Sequence, residues 1–292
     1  MNNPVKSPMH PPVISPVARR KPRRRLPIAG MIGLAIVAFW LLMAVFGPTI
    51  AAHDVGGITG DDVFAPISAK YPLGTDYLGR DMLSRILHGA PYTIGVALAA
   101  VLLASSGGTA LALCAAAAGG WFDAIVSRVV DTMLSIPHKL LALIIVASFG
   151  SSVPLLILIA GVGYMPGAFR IARALAVNVQ AMDYVQAARA RGEGLFYITI
   201  FEMLPNMFRP VLADFGLRFL FIVLLLSGLS FLGLGIQPPQ ADWGSLVREN
   251  IIGLSQGAPA VITPAIAIAT LTIGVNMAID SFVGRKRRGS EG

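Results

Sequence analysis

The chain has 292 residues, 55% of them hydrophobic and only 13% charged, with a mean hydropathy of +0.72 and a formal net charge of +8. A soluble domain carries about 25% charged residues, so this composition excludes an ordinary water-soluble globule and makes the bilayer the better solvent. The alternating strands of roughly 10 residues that a closed barrel needs are not visible, which leaves an all-α integral membrane protein.

The N-terminal segment 1–25 holds seven bases (Lys6, Arg19, Arg20, Lys21, Arg23, Arg24, Arg25) and no acid. It is rich in Pro and Ser, a composition that predicts disorder. A basic tail can serve nucleic acid, but here an apolar span starts directly behind it, so no nucleic-acid partner is inferred. That apolar run is longer than a signal-peptide core and no clear small-x-small cleavage site follows, which makes it a retained anchor.

Span one is predicted over 26–51, followed by an outer loop. Domain boundaries fall accordingly at 26–90 for the first span with its outer loop, and at 91–284 for the main transmembrane core. Within the loop, Asp76 with Arg80 and Asp81 with Arg85 stand at i,i+4 spacing, while Leu78, Met82 and Ile86 recur at a helical interval. This predicts an amphipathic helix lying on the outer membrane surface.

Span two, 91–119, is dense in Ala and Gly, which lets helices approach closely. Its Cys114 is the single cysteine and reads as a small core residue. Arg128, Asp131 and Lys139 mark a cytoplasmic turn and the foot of span three. The charge-free run 140–169 is broken at Gly150-Ser-Ser-Val-Pro154 into two spans with a tight outer turn. Span five covers 211–234, with Asp214 and Arg218 pairing at its foot, and Arg128 with Asp131 doing the same at span three. An outer loop follows in which Trp243 suits the membrane interface. Span six covers 258–279, and the basic tail 285–292 closes the chain. Six spans with both ends cytoplasmic satisfy the positive-inside rule. The mid-span regions carry no ionisable residue, which argues against a proton relay or ion filter. His53, His88 and His138 do not have metal-cluster spacing, and no metal or cofactor is inferred.

The loop 171–210 then falls in the cytoplasm. Asp183 with Gln186 forms an Asp-x-x-Gln capping box, Ala187 to Ala190 propagate a helix, and Gly192-Glu193-Gly194 ends it. A second short helix, 195–204, is apolar on nearly every face and is stopped by Pro205. Ten residues cannot cross a bilayer. Such a segment is buried either in a partner's groove or as a re-entrant or surface helix, and periodicity alone leaves both open.

The stretch resembles the loop of permease subunits of ABC importers, Glu-Ala-Ala-x3-Gly-x9-Ile-x-Leu-Pro, through Gln186, Ala187, Ala188, Gly192, Leu204 and Pro205 at the same spacing. Gln186 replaces the first Glu and Glu202 stands where the pattern has Ile. Two further segments are similar to the peptide/nickel group of these importers: Tyr71-Pro-Leu-Gly-Thr-Asp-Tyr-Leu-Gly-Arg-Asp-Met-Leu-Ser-Arg85, and Leu229-Ser-Phe-Leu-Gly-Leu-Gly-Ile-Gln-Pro-Pro239 with Asp242-Trp-Gly244. The resemblance covers roughly residues 26–282 and fits the six-span member of the permease pair. The C-terminal Asn276-to-Gly284 segment and Leu226 depart from the group's pattern.

The resemblance implies a type I importer permease fold and a bacterial cytoplasmic (inner) membrane location. It implies as partners a second permease, two cytoplasmic ATPases and an extracytoplasmic solute-binding protein. It also implies that Asp183, Gln186, Ala187, Ala188, Gly192, Leu204 and Pro205 couple the chain to the ATPases. No Gly-x4-Gly-Lys-Ser/Thr loop surrounds any of the five lysines, so the chain is not the motor and not itself an enzyme. The implied cargo is a dipeptide or oligopeptide, with nickel, an opine, a glycoside or a chelate as the alternative. A stand-alone secondary transporter or channel is remoter, since it wants intramembrane charges or broken helices in inverted halves. A membrane scaffold or receptor subunit, using the hairpin only to dock, is the third class.

Overall fold

The computed structural model describes residues 28–58 and 62–283, so the basic tails expected at 1–25 and 285–292 lie outside the described residues. Among those described, ten α-helices and no strand are found. Helix α1 (Ile28–Ile50) is apolar throughout and leans on α10 (Pro259–Val283). Their backbones approach so closely that a Cβ on Gly33 would stand 2.5 Å from the Ala278 nitrogen. Helix α2 (Met82–Ala118) and α5 (Val153–Gln180) form the central pair. Small residues again allow it: a Cβ on Gly108 would meet the Ala168 methyl at 2.7 Å.

Between them lie α3 (Gly120–Ser135) and α4 (His138–Phe149), bent by 75° at Ile136–Pro137. The turn from α4 to α5 uses Gly150 at φ +81°, the tight turn the sequence predicts. The rest comprises α6 (Asp183–Ala190), α7 (Leu195–Tyr197), α8 (Leu204–Phe231) and α9 (Trp243–Glu249). Five helical runs are long and apolar enough to cross a membrane, and the bent α3–α4 pair brings the number to six where it is counted as one span. The fold is all-α and multi-pass. The end carrying α6 and residues 191–204 is termed here the hairpin end, and the end carrying loops 62–81 and 232–250 the ion-pair end.

Several local expectations are corrected. No separate surface helix forms around residues 76–90. Asp81 caps α2 by accepting from the backbone N–H of Leu83 and Ser84, and the helix then runs unbroken for 37 residues with Met82 and Ile86 in the core. That cap occupies the carboxylate, so Asp81 does not pair with Arg85. Trp243 is not an interface aromatic: it is fully buried, with Trp40 edge-on at 4.6 Å. Cys114 is exposed rather than core. At α3 the ion pair is Asp123 with Arg173 of α5, a bidentate contact at 2.5–2.6 Å, and not Arg128 with Asp131.

The mid-span regions are not free of charge. The His138 ring packs on Tyr164 with centroids 4.7 Å apart, so the α3–α4 bend lies level with the middle of α5. Arg218 reaches the same level from α8. Its Nη1 donates to the Tyr164 carbonyl at 3.1 Å, and its Nε and Nη2 donate to the two carboxylate oxygens of Asp214 at 2.6 and 3.0 Å. The expected Asp214–Arg218 pair is present, but well inside the bundle. The sequence places membrane edges where charge-free runs stop, whereas these helices continue past their charges.

Candidate functional site

Helix α5 ends at Gln180, and α6 begins two residues later at Asp183. The expected capping box does not form. Asp183 is in the first turn rather than at the cap, Met182 holds the cap position, and no side chain bonds there. Gln186 instead reaches back to donate to the Gln180 carbonyl at 3.0 Å, pinning the corner between the two helices. An acid in the first turn still suits the positive end of the helix.

Ala188 and Val185 are fully buried, and Ala187 on the neighbouring face is exposed. The buried pair joins a cluster with Ala112, Ala116, Phe169 and Ala176 from α2 and α5, and with Ile198 and Met203 from the returning arm of the hairpin. The helix then closes in a Schellman motif: Gly192 N–H donates to Arg189 O at 2.9 Å and Glu193 N–H to Ala188 O at 3.2 Å, with Gly192 at φ +81°. A Cβ on Gly192 would have nothing within 4 Å. Its requirement is therefore the left-handed backbone, not close fit within this chain.

The second helix does not stop at Pro205. Helix α7 passes into a π-helical turn, Ile198–Met203, and on into α8, with Leu204 half-buried and Pro205 exposed directly after that turn. Thr199 Oγ1 donates to the carbonyls of Leu195 and Phe196 at 2.9 and 3.0 Å, inside that turn. The segment is two-sided. Ile198 and Met203 are buried on the bundle, while Phe196 is 76% and Phe201 60% exposed, with Tyr197 stacked on Phe201 at 5.2 Å. Arg189, Arg191 and Arg209 are exposed in the same stretch of chain, with Arg191 3.7 Å from Glu202. All seven residues singled out from the sequence fall on one hairpin, in unequal roles: Ala188 fastens it together with Val185, which is not one of the seven, and Gln186 and Gly192 shape it.

The aromatics Phe196, Tyr197 and Phe201 were not among those seven, although an apolar segment too short to span was their signal. A second assembly, at the ion-pair end, was also missed as a unit. Arg85 Nη1 donates to Asp76 Oδ2 at 2.7 Å and to Glu249 Oε2 at 2.8 Å, and Arg80 contacts the same two carboxylates at 2.7 and 3.3 Å. Tyr77 N–H donates to Asn250 Oδ1, and Trp243 Nε1 donates to the Ile86 carbonyl. The two long motifs, 71–85 and 229–244, are therefore parts of one buried joint extending to Asn250. Next to it, Asp242 caps α9, accepting from Ser245 N–H at 2.9 Å and Ser230 Oγ at 2.5 Å. Burial pushes its carboxyl above the usual range, and these hydrogen bonds only partly offset that.

Residues 108–288, from the middle of α2 through α10, match the family described as binding-protein-dependent transport system inner membrane component. The chain belongs to this family. It is a multi-pass transport permease subunit of type I architecture.

Curated relatives align along most of their length with this permease. A dipeptide transport system permease protein of Alkalihalophilus pseudofirmus is 31% identical over 86% of this chain and 83% of its own. A probable D,D-dipeptide transport system permease of Escherichia coli is 33% identical over 83% and 81%. A glutathione transport system permease protein of Pectobacterium atrosepticum is 31% identical over 74% and 72%.

Proposed function

We propose that this permease is half of the membrane pathway of an ATP-driven importer for dipeptides or similar short peptides. A second permease completes the pathway, two cytoplasmic ATPases power it, and a solute-binding protein supplies it from outside. The hairpin end faces the cytoplasm, as do both termini, in a bacterial cytoplasmic membrane. The hairpin, through Asp183, Gln186, Ala187, Ala188, Gly192, Leu204 and Pro205, is the coupling element.

The observation that carries this reading is the two-sided hairpin. Its inner face, Val185, Ala188, Ile198 and Met203, is packed into the ends of α2 and α5. Its outer face offers an exposed aromatic patch, Phe196, Tyr197 and Phe201, of the kind enriched at protein interfaces, and suits a groove on a partner. Because the π-helical turn runs straight into α8, a displacement of the patch moves a membrane helix rather than a loop.

The test is Phe196→Asp in the tagged full chain, purified from native membranes in mild detergent alongside wild type. Wild type should bring down a second permease, P-loop ATPases and the binding protein. The variant should keep the second permease, lose the ATPases, and cut dialanine uptake by about a hundredfold. Retained ATPases and unchanged uptake would refute the docking assignment.

A further inference from the structure

Lys139 occupies an unusual position. His138 starts α4, and its Cβ lies 3.7 Å from where a Cβ on Gly163 would stand. Tyr164, against which its ring packs, is the eleventh residue after Val153, the start of α5. At 1.5 Å per residue that is about 16 Å along the helix, close to the centre of a hydrocarbon core about 30 Å thick. Counting from the other helix agrees: Arg218, bonded to the Tyr164 carbonyl, is thirteen residues from the end of α8 at Phe231, or about 20 Å.

At this depth Arg218 is buried and held by Asp214 and a carbonyl, so its charge is matched. Lys139 is exposed on the chain, and its side chain has no ion pair or hydrogen bond with any described residue. Three features make an unmatched cation here unfavourable unless an anion or water faces it. It sits in the first turn of α4, at the positive end of that helix. Pro137 at the cap offers no side-chain acceptor to the first-turn N–H groups. The neighbouring His138 Nε2 is buried with no hydrogen-bond partner. Backbone broken at membrane depth, as at the 75° bend, persists only inside protein or beside a water-filled cavity. The four-carbon stem of Lys139 is too short to carry its charge from mid-depth to a headgroup layer. Ionisable groups inside membrane segments are rare and mark substrate or ion pathways.

We propose that Lys139 lines the solute route at mid-depth and attracts the carboxylate of the passing solute, a peptide C-terminus in the reading above, on which the carboxylate assignment rests. The bend keeps this cation level with Tyr164 and Arg218, while Asp214 neutralises Arg218. Among the described residues, Lys139 is therefore the cation at this level left to meet an anion.

Two labelling experiments on the complete transporter in lipid vesicles test this, both in a Cys114→Ala background. The first compares Lys139→Cys with Ile144→Cys, an exposed position on the opposite side of α4. A membrane-impermeant sulfonate-bearing methanethiosulfonate should modify the former at least tenfold faster. Equally slow modification would place Lys139 against lipid and overturn its place on the route, whatever the solute is.

The second keeps Lys139 and places the reporter at Ile136→Cys. Millimolar dialanine should slow labelling several-fold, dialanine amide should not, and Lys139→Gln should abolish the difference while Lys139→Arg preserves it. Equal protection by both peptides, or by neither, would overturn the carboxylate assignment. Failure of wild type to take up dialanine would instead strike the peptide reading itself, and the first labelling comparison would still decide whether Lys139 lines the route.

Discussion

At the ion-pair end, Arg80 and Arg85 lie between Asp76 and Glu249 with contacts of 2.7–3.3 Å, and Asp76 is completely buried. At the hairpin end, Arg191 stands 3.8 Å from Glu193 and 3.7 Å from Glu202 with 55% of its side chain exposed. Apolar surface is distributed the other way. Trp243 is sealed beneath the ion-pair joint, whereas Phe196 and Phe201 stand open on the hairpin. One end pairs Arg80 and Arg85 with carboxylates of its own and seals its tryptophan. The other leaves both unfinished, which is how a surface looks when a second protein completes it.

Removing one arginine from each end measures that contrast. Arg85→Met leaves Asp76 and Glu249 buried with only Arg80 between them, and breaking a buried pair costs about 3–5 kcal/mol. The variant should show the largest loss of folded, monodisperse protein in fluorescence-detected size exclusion, and the largest drop in apparent melting midpoint. Arg191→Ala should change stability by less than about 1 kcal/mol, because exposed pairs contribute little. Comparable losses from both would mean that the hairpin carries structural load and is not an open docking face.

Gly192 sharpens the comparison on the hairpin itself. If small size is what the position needs, Asn should be worse than Ala. The structure gives the opposite order. Space around the missing Cβ is open, and φ is +81° in a Schellman motif, so the cost is that of forcing an L-residue left-handed, about 1–2 kcal/mol. Asn visits that region more readily than Ala. Dialanine uptake by the complete transporter should therefore fall more in Gly192→Ala than in Gly192→Asn. The reverse order would restore a steric requirement set by the partner.

How much of this was legible in the chain depends on the range of the interaction. The long helices follow from charge-free length, because the bilayer sets that length for every span alike, and only the bent α3–α4 pair leaves their number between five and six. The hairpin's position follows from two glycines and a run of alanines. What failed were inferences that treated neighbouring residues as partners. Asp81 and Arg85 have ideal i,i+4 spacing, yet the first caps α2 and the second bridges to Glu249, 164 residues away. Asp183 and Gln186 have capping-box spacing, yet the helix starts at Asp183 itself. Pro205 looks like a stop and is a first-turn residue, because the π-helical turn before it keeps the helix going. Depth was misjudged for a related reason: Arg218 and Tyr164 are 54 residues apart and meet only through packing of α5 on α8.

The smallest expected effect lies beside the ion-pair joint, at Asp242, and it tests whether that end is as dry as its geometry requires. Burial raises this carboxyl above its ordinary value of 3.8. The folded state then binds the proton more tightly than the unfolded state, so between 3.8 and the raised folded value stability falls as pH rises. Above that window the penalty is fully present, and below 3.8 it is absent. Asp242→Asn does not titrate and keeps an acceptor for the Ser245 N–H. The melting midpoint of the variant relative to wild type should accordingly increase from acid pH through the window, by no more than about 1.4 kcal/mol of stability per pH unit, and then level off. A difference that is flat with pH would mean that water reaches Asp242. In that case the joint formed by the 71–85 and 229–250 segments would be a wet contact, and the contrast between the two ends would narrow to the arginines alone.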